Sequence, residues 1–523
     1  MVLGFNLRDS LRRKRDIATV VQRNDRIGEL IDLINERYVD TISNNRLYKD
    51  AITGILKSLD PHTVYIPTDE VEDVNNDLEG SFSGIGVEFL IVHDTIEISA
   101  VVEKGPAAKA GVETGDQLTM VNDSLVAGNN ITADRIVNLL KGKKNSSVNI
   151  TVKNPITGLT KQVTITRDDI PLYSVDASLM LDGVTGYIKV NRFSAKTYDE
   201  FKEALKKLQD GGAKQLVLDL RDNPGGYLQA ATAIADDLLD GEKLIVYTQG
   251  LHIPKTEFKG TAGGPFEKGK VAVLVDEGSA SASEILAGAL QDWDRGVIIG
   301  RRTYGKGLVQ EQYDMPGGAA LRLTIARYYT PSGRCIQRSF AKGRDAYHHD
   351  FENRLEAGVL TGYDTGVVDT TAYYTANHRP VYSGGGIMPD VYVPYDTSAY
   401  LHSFANMAGS EELNSAIRNY YIRNKQELHY KSITEFSHSF SAGRQVADNY
   451  IAMLNNEERK TALRHFSNPS YYHYVELQIK AQLARYLFHD NGYYAVKLKE
   501  DNVVNKALDV LNSGKYSKII GGK

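Results

Sequence analysis

One cysteine, Cys335, stands in 523 residues. That excludes an intrachain disulfide and any multi-cysteine metal site, and it leaves the compartment undecided. Long apolar runs are missing as well. No stretch is long enough to span a bilayer, and the start, MVLGFNLRDSLRRKRD, has no signal-peptide core. There is no basic excess: 61 Lys and Arg face 66 Asp and Glu, a net charge of −5 that gives no reason to expect a nucleic-acid partner. The Walker phosphate-binding pattern is absent. What remains is a chain with 42% hydrophobic and 24% charged residues, long enough for several domains around a sizeable core.

The chain is organised around residues 271–310. Val271 to Val275 reads as a buried strand, and Gly278-Ser279-Ala280-Ser281 as a small-residue turn. A helical pattern runs from Ala282 to Leu290, then a short strand from Val297 to Ile299, then Gly305-Lys306-Gly307. A serine between a strand end and a helix start lies beside free N–H groups, which suit a developing oxyanion. A lysine that is buried loses part of its charge and can act as a base. The competing reading is that Ser279, Ser281 and Ser283 only cap the helix.

The string Ser279-Ala280-Ser281-Ala282-Ser283-Glu284, followed by Gly305-Lys306-Gly307, resembles the carboxyl-terminal processing peptidases, the tail-specific serine proteases of S41 type. The resemblance implies Ser281 as nucleophile, Lys306 as general base and Gln310 as the residue that orients the lysine. It also implies an α/β fold, a crotonase/ClpP-like spiral of ββα units, carrying an inserted PDZ-like β domain and helical N- and C-terminal regions. Members are usually exported, so it implies a location in the cell envelope or periplasm and a mature or trimmed chain. The basic cluster Arg12, Arg13, Lys14, Arg15 then has two readings, a solvated helix face or the flank of a removed membrane segment.

Residues 80–168 resemble a PDZ domain. Ser83-Gly84-Ile85-Gly86 stands at the carboxylate-binding loop, followed by GPAAKAG at 105–111, GDQLTMVND at 115–123, a helix over 132–140 and strands over 148–152 and 162–165. Consecutive N–H groups in a glycine turn cradle a terminal carboxylate, and the strand from Val87 pairs with the incoming peptide. Glu88 would repel an acidic tail if it faced the groove. Strand alternation puts Val87 and Phe89 on one face and Glu88 on the other.

From 169 to 395 strands and helices alternate, which implies a layered α/β catalytic domain. Between the strand 215–220 and the helix 228–239 lies Arg221-Asp222-Asn223-Pro224-Gly225-Gly226. The resemblance makes this loop half of the oxyanion hole, with the amides of Gly226 and Ala282 as donors and Gly225 as the alternative. Asp219 and Asp222 read as salt-bridge or turn residues, and Asp292 and Asp294 as structural support around Trp293. Residues 340–378 read as an insertion with His348 and His349 on a surface loop. The N-terminal region, 1–79, carries helical stripes (Ile27, Leu30, Ile31, Ile34; then Leu47, Ile52, Ile55, Leu56) and a break at Leu59-Asp60-Pro61-His62, where the histidine reads as structural. The stripes read as packing on their own domain. Residues 396–523 read as an added helical region, with Leu477, Ile479, Leu483 and Leu487 as its buried stripe.

The reading that follows is a serine endopeptidase with a Ser–Lys dyad, acting on proteins or peptides chosen by a free C-terminus. It needs no cofactor and no metal. Membrane contact would come only through a missing N-terminal segment, and a homo-oligomer is left open. Two alternatives remain at this point: a catalytically idle PDZ scaffold, and an acyl-thioester-handling enzyme of the same fold.

Overall fold

The computed structural model describes residues 26–92, 94–356, 358, 371–395 and 406–521. The basic cluster at 12–15 and part of the 340–378 insertion lie outside them.

A six-stranded sheet forms the centre. Its order is Val175–Met180, Thr185–Val190, Gln215–Asp219, Lys270–Val275, Val297–Gly300, Val391–Tyr392. The first pair is antiparallel and every later pair parallel. The middle strands are short runs of Val, Leu and Ile buried on both faces, as parallel strands covered by helices must be. Leu216, Leu218, Val271 and Val273 point to one face, against helices Thr197–Asp210, Leu228–Leu238 and Ala282–Asp292. Val217, Ala272 and Leu274 point to the other, against helix Asn502–Asn512. The segment 396–523 therefore divides. Its last helices cover the catalytic sheet, while helices between Glu411 and Lys497 build their own core, which includes Ile479 and Leu483.

A second sheet joins Val64–Ile66, Ala320–Tyr329, Leu244–Gln249 and Thr256–Lys259, with Leu308–Asp314 also on Ala320–Tyr329. It carries the 59–66 segment to the catalytic layer. The β domain is a separate sheet, Val87–Val92, Thr95–Val101, Gln117–Val121, Ser147–Lys153, Thr160–Thr166, with helix Ala133–Leu140 over its core. Among the described residues Val87–Val92 pairs with only one strand and is an edge. Helix Thr68–Glu79, which the sequence does not announce, ends at Gly80 (φ 74°) and leads into Ser81–Gly84. In helix Arg26–Arg37 only Gly28 and Ile31 are buried; Ile27, Leu30 and Leu33 face outward, so the expected packing of that stripe is met only in part.

Candidate active site

Strand Lys270–Val275 delivers the chain to a turn, and helix Ala282–Asp292 leaves it. At the joint Ser281 takes φ 57°, ψ −111°, a strained conformation for a residue with a Cβ. Its neighbours hold it there. Ser279 Oγ donates to the Leu220 carbonyl (2.8 Å), and Ser283 Oγ to the Asn223 carbonyl (2.9 Å). The Ala280 N–H also donates to Asn223 O, and Tyr328 OH to Ser281 O (3.2 Å). Two of the three serines thus spend their hydroxyls on the facing loop. Ser281 Oγ is buried and has no hydrogen-bond partner among the described residues.

The facing loop is shaped to approach that hydroxyl. Gly225 (φ 96°) lies against it, since a Cβ there would sit 2.8 Å from Ser281 Cβ and 2.9 Å from Ala282 N. Asn223 ties the loop down, donating to Val190 O and accepting from the Gly225 N–H, each at 2.9 Å. That occupies the Gly225 amide. The Gly226 and Ala282 N–H groups have no acceptor among the described residues. Two unmet donors beside an unmet hydroxyl at a helix N-terminus suit a tetrahedral oxyanion.

Glu284 joins the serine turn to the lysine loop. It is fully buried and accepts from Ser281 N (2.9 Å), Gly305 N (2.8 Å), Lys306 N (2.8 Å) and Thr303 Oγ1. Burial pushes its carboxyl above the ordinary range, against those four donors. Lys306 lines a cavity of about 720 Å³ together with His62, Ala280, Pro224, Tyr304 and Phe351. Desolvation lowers its ammonium to about 8; Arg322 acts in the same direction, Asp60 and Glu284 against it.

The contacts expected of the lysine differ from those present. No hydrogen bond joins Lys306 to Ser281 Oγ. Gln310 does not hold the amine: its Nε2 donates to the His62 carbonyl, which the 59–66 segment presents to strand Leu308–Asp314. In sequence His62 has the pattern of a plain turn residue, yet it lies in the cavity. Its Nε2 meets Tyr347 OH at 2.8 Å, and burial, followed by the Lys306 charge, lowers its pKa to about 3. Asp60 anchors the turn, accepting from the N–H groups of His62 (2.9 Å) and Thr63 (3.0 Å). The insertion also departs from a surface loop. Residues Arg344–His348 and Asp350–Glu356 are helices, Tyr347 is buried and Arg344 donates to the carbonyls of Leu56 and Asp60; His348 and His349 are exposed as expected, with His348 at the cavity. Glu284 stood within the serine motif, and Ser-x-x-Glu is a capping-box spacing that could have signalled it.

Asp219, Asp222, Asp292 and Asp294 act structurally. Asp219 is buried against Arg221 (2.6 Å) and Lys189 (3.5 Å), Asp222 turns the loop at φ 56°, Asp292 pairs with Arg334 (2.8 Å) and Asp294 with Arg379 (2.6 Å).

The tail-binding candidates lie on the β domain, apart from the cavity. Ser83 and Gly84 belong to a strand paired with Asp168–Pro171, and the turn proper is Ile85-Gly86. Their N–H groups have no acceptor among the described residues, and Ser83 Oγ is buried without a partner. Val87 and Phe89 face the domain core, while Glu88 extends toward Arg485 of the C-terminal region (3.7 Å).

Residues 184–343 match peptidase family S41, residues 97–154 match a PDZ domain, starting beyond the Ile85-Gly86 turn, and residues 403–490 match a family of unknown function. A carboxy-terminal-processing protease of Bartonella bacilliformis is 33% identical over 60% of this chain and 72% of its own length. A carboxyl-terminal-processing protease of Picosynechococcus sp. is 38% identical over 54% of this chain and 68% of its own. Among solved structures, a photosystem II D1 C-terminal processing protease is 28% identical over 60% of this chain and 89% of that one, with a TM-score of 0.34. The chain belongs to the carboxy-terminal-processing serine peptidases of family S41.

Proposed function

We propose that this chain is an endopeptidase that cleaves proteins selected by their free C-terminal tails, with Ser281 as nucleophile and Lys306 as its base. One observation carries the reading: of three serines in one turn, two spend their hydroxyls on the facing loop and Ser281 alone is left buried, strained and unpartnered. Neutral Lys306 takes the Ser281 proton as Oγ attacks the scissile carbonyl, and the ammonium then protonates the leaving amine. The Gly226 and Ala282 amides receive the oxyanion, worth about 3 kcal/mol per donor. Water, activated by the same amine, releases the acyl-enzyme.

The open Ser281–Lys306 pair and the Gln310–His62 bond belong, on this reading, to a resting arrangement. The catalytic form needs Gln310 to release the His62 carbonyl and turn to the lysine. The β domain, residues 80–168, captures the tail at Ser83 to Val87; residues 169–395 form the catalytic domain, in the spiral arrangement of the family; the chain works in the cell envelope. Helices within 26–79 and 406–521 flank these parts.

Replacing Ser281 or Lys306 by alanine abolishes cleavage of an unstructured protein if the dyad is right, and unchanged cleavage removes it. Digestion of one model protein with a free and with an amidated C-terminus tests tail selection separately. Equal rates reject selection and leave the peptidase intact.

A further inference from the structure

Lys141 follows the helix Ala133–Leu140, and three contacts place it beside the Ile85-Gly86 turn. The Gly142 N–H donates to the Ser83 carbonyl at 3.3 Å. The Lys141 ammonium lies 5.3 Å from the centroid of the Phe82 ring. Phe82 in turn lies over Gly84, where a Cβ would sit 2.9 Å from the ring. The turn holds unmet donors in the Ile85 and Gly86 N–H groups and the buried Ser83 hydroxyl. Donors without acceptors, next to a cation, make a place for an anion.

Lys141 is already engaged. Its Nζ meets Asp73 Oδ1 at 2.6 Å, with the two side chains 30% and 62% exposed. An ion pair that open to water is weakly held and readily exchanged. Asp73 belongs to helix Thr68–Glu79, whose end at Gly80 runs straight into the strand Ser81–Gly84. The same helix touches the catalytic layer. Asn75 accepts from Gln312 (3.0 Å), Asp77 pairs with Arg192 (3.2 Å), and Glu79 accepts from Tyr227 OH (3.4 Å). Gln312 shares a strand with Gln310, and Tyr227 adjoins Gly226.

We propose that Lys141 is the charged half of the tail-binding site, and that a bound chain-terminal carboxylate competes with Asp73 for it. This rests on reading Ser83 to Val87 as the tail turn. The ligand is a peptide with a free α-carboxylate, which accepts from the turn amides and from the lysine. The exchange moves no proton and breaks no covalent bond. It frees Asp73, so an occupied tail site removes one restraint on the helix that abuts the strand bearing Gln310 and the loop bearing Gly226.

The test uses the full-length chain with Ser281→Ala, so that bound peptide survives, and fluorescence anisotropy with one labelled peptide in free-ended and amidated forms. Losing one charge-assisted hydrogen bond weakens binding about tenfold. Lys141→Gln is therefore expected to weaken the free-ended peptide by that factor and leave the amidated one unchanged. Lys141→Arg retains most of the affinity, and Asp73→Asn, which removes the competitor, tightens the free-ended peptide. Lys141→Gln that keeps the full wild-type ratio of affinities for the two peptides overturns the proposal alone, as does a loss of affinity equal for both. Equal affinity of both peptides for the chain with Lys141 intact removes the tail reading, and this inference with it.

Discussion

The catalytic layer and the β domain are held in place by different kinds of contact. At the serine turn a carboxylate with no exposure, Glu284, accepts from four donors on two segments, the turn itself and residues 303–306. Beneath the facing loop, Asp219 is equally buried with Arg221 and Lys189, and Arg221 continues to Asp501 at the head of helix Asn502–Asn512 (2.8 Å). The β domain meets its neighbours through open pairs: Lys141–Asp73, Lys425–Glu113 and Arg485–Glu88, the last two with both side chains more than 40% exposed. Arg418–Glu97 is the exception, with the arginine fully buried against Ser415 Oγ (3.1 Å). Water and salt can replace the open contacts and cannot replace the buried ones. The frame of the proposed nucleophile is thus fixed, and the β domain, proposed to take up chain ends, is docked by exchangeable pairs.

Breaking the fixed side has the largest expected effect. Glu284→Gln keeps the size of the side chain but turns one acceptor into a donor facing other donors. Activity on a peptide substrate is expected to fall about 100-fold or more as the serine and lysine loops separate. Chemical denaturation is expected to show a loss of about 3 kcal/mol, the scale of a buried charge-assisted bond made unsatisfied. Wild-type activity in Glu284→Gln would leave the catalytic side no more fixed than the docked side.

Arg418→Met comes next and tests the exception. It strands Glu97 at the edge of the β domain, and breaking a buried pair from one side costs about 3 kcal/mol. The loss is read by denaturation, while cleavage of a short peptide, which needs no tail reader, stays near wild type. A neutral result would place Arg418 with the exchangeable pairs.

The lysine gives a smaller effect with a definite sign. With its pKa lowered to about 8, Lys306 is protonated below that pH and neutral above it. The peptidase rate is expected to rise through pH 8 to a plateau. Because the folded value lies below the ordinary 10.5, the unfolded chain binds the proton more readily between the two. This residue therefore penalises folding fully below about pH 8, and the penalty fades as pH rises toward 10.5. Arg322→Gln removes a cation that helps depress the value, so the acid limb of the rate profile moves to higher pH, by roughly half a unit.

What the sequence made legible follows from where each signal resides. The strands at 215–219 and 270–275 are apolar runs bounded by turn residues, so local pattern finds them and the serine and glycine loops at their ends. Helix Thr68–Glu79 has no fully buried residue: in TDEVEDVNNDLE the only apolar stripe is Val71, Val74 and Leu78, each half-buried, and Pro67 and Gly80 mark the helix limits. His62 and Gln310 meet across 248 positions, and His62 and Tyr347 across 285, distances over which no local periodicity speaks. The division of 396–523 was hidden for a related reason. The Val503, Val504, Ala507, Val510 and Leu511 stripe is plain, but the surface it covers belongs to strands more than two hundred residues earlier. The motif identified Glu284 as a residue; only the fold brings the Gly305-Lys306 amides to its carboxylate.

The smallest expected effect sharpens the comparison most. Lys425 Nζ and Glu113 form a 2.7 Å bond between the C-terminal helices and the β domain, with side chains 48% and 65% exposed. Beside it Ile422 lies against Gly115, so the contact also has an apolar component. A double-mutant cycle of Lys425→Ala and Glu113→Ala isolates the ion pair from that packing. Its coupling is expected at about 0.2–1 kcal/mol. In 1 M salt, where the screening length is about 3 Å, it is expected to vanish. The same cycle on Arg418→Met and Glu97→Gln is expected to give the larger coupling and to keep it in salt. If the exposed pair proved as strong and as salt-resistant as the buried one, exposure would not be what separates the two sides. The docking of the β domain would then have to be explained by the Ile422–Gly115 packing instead.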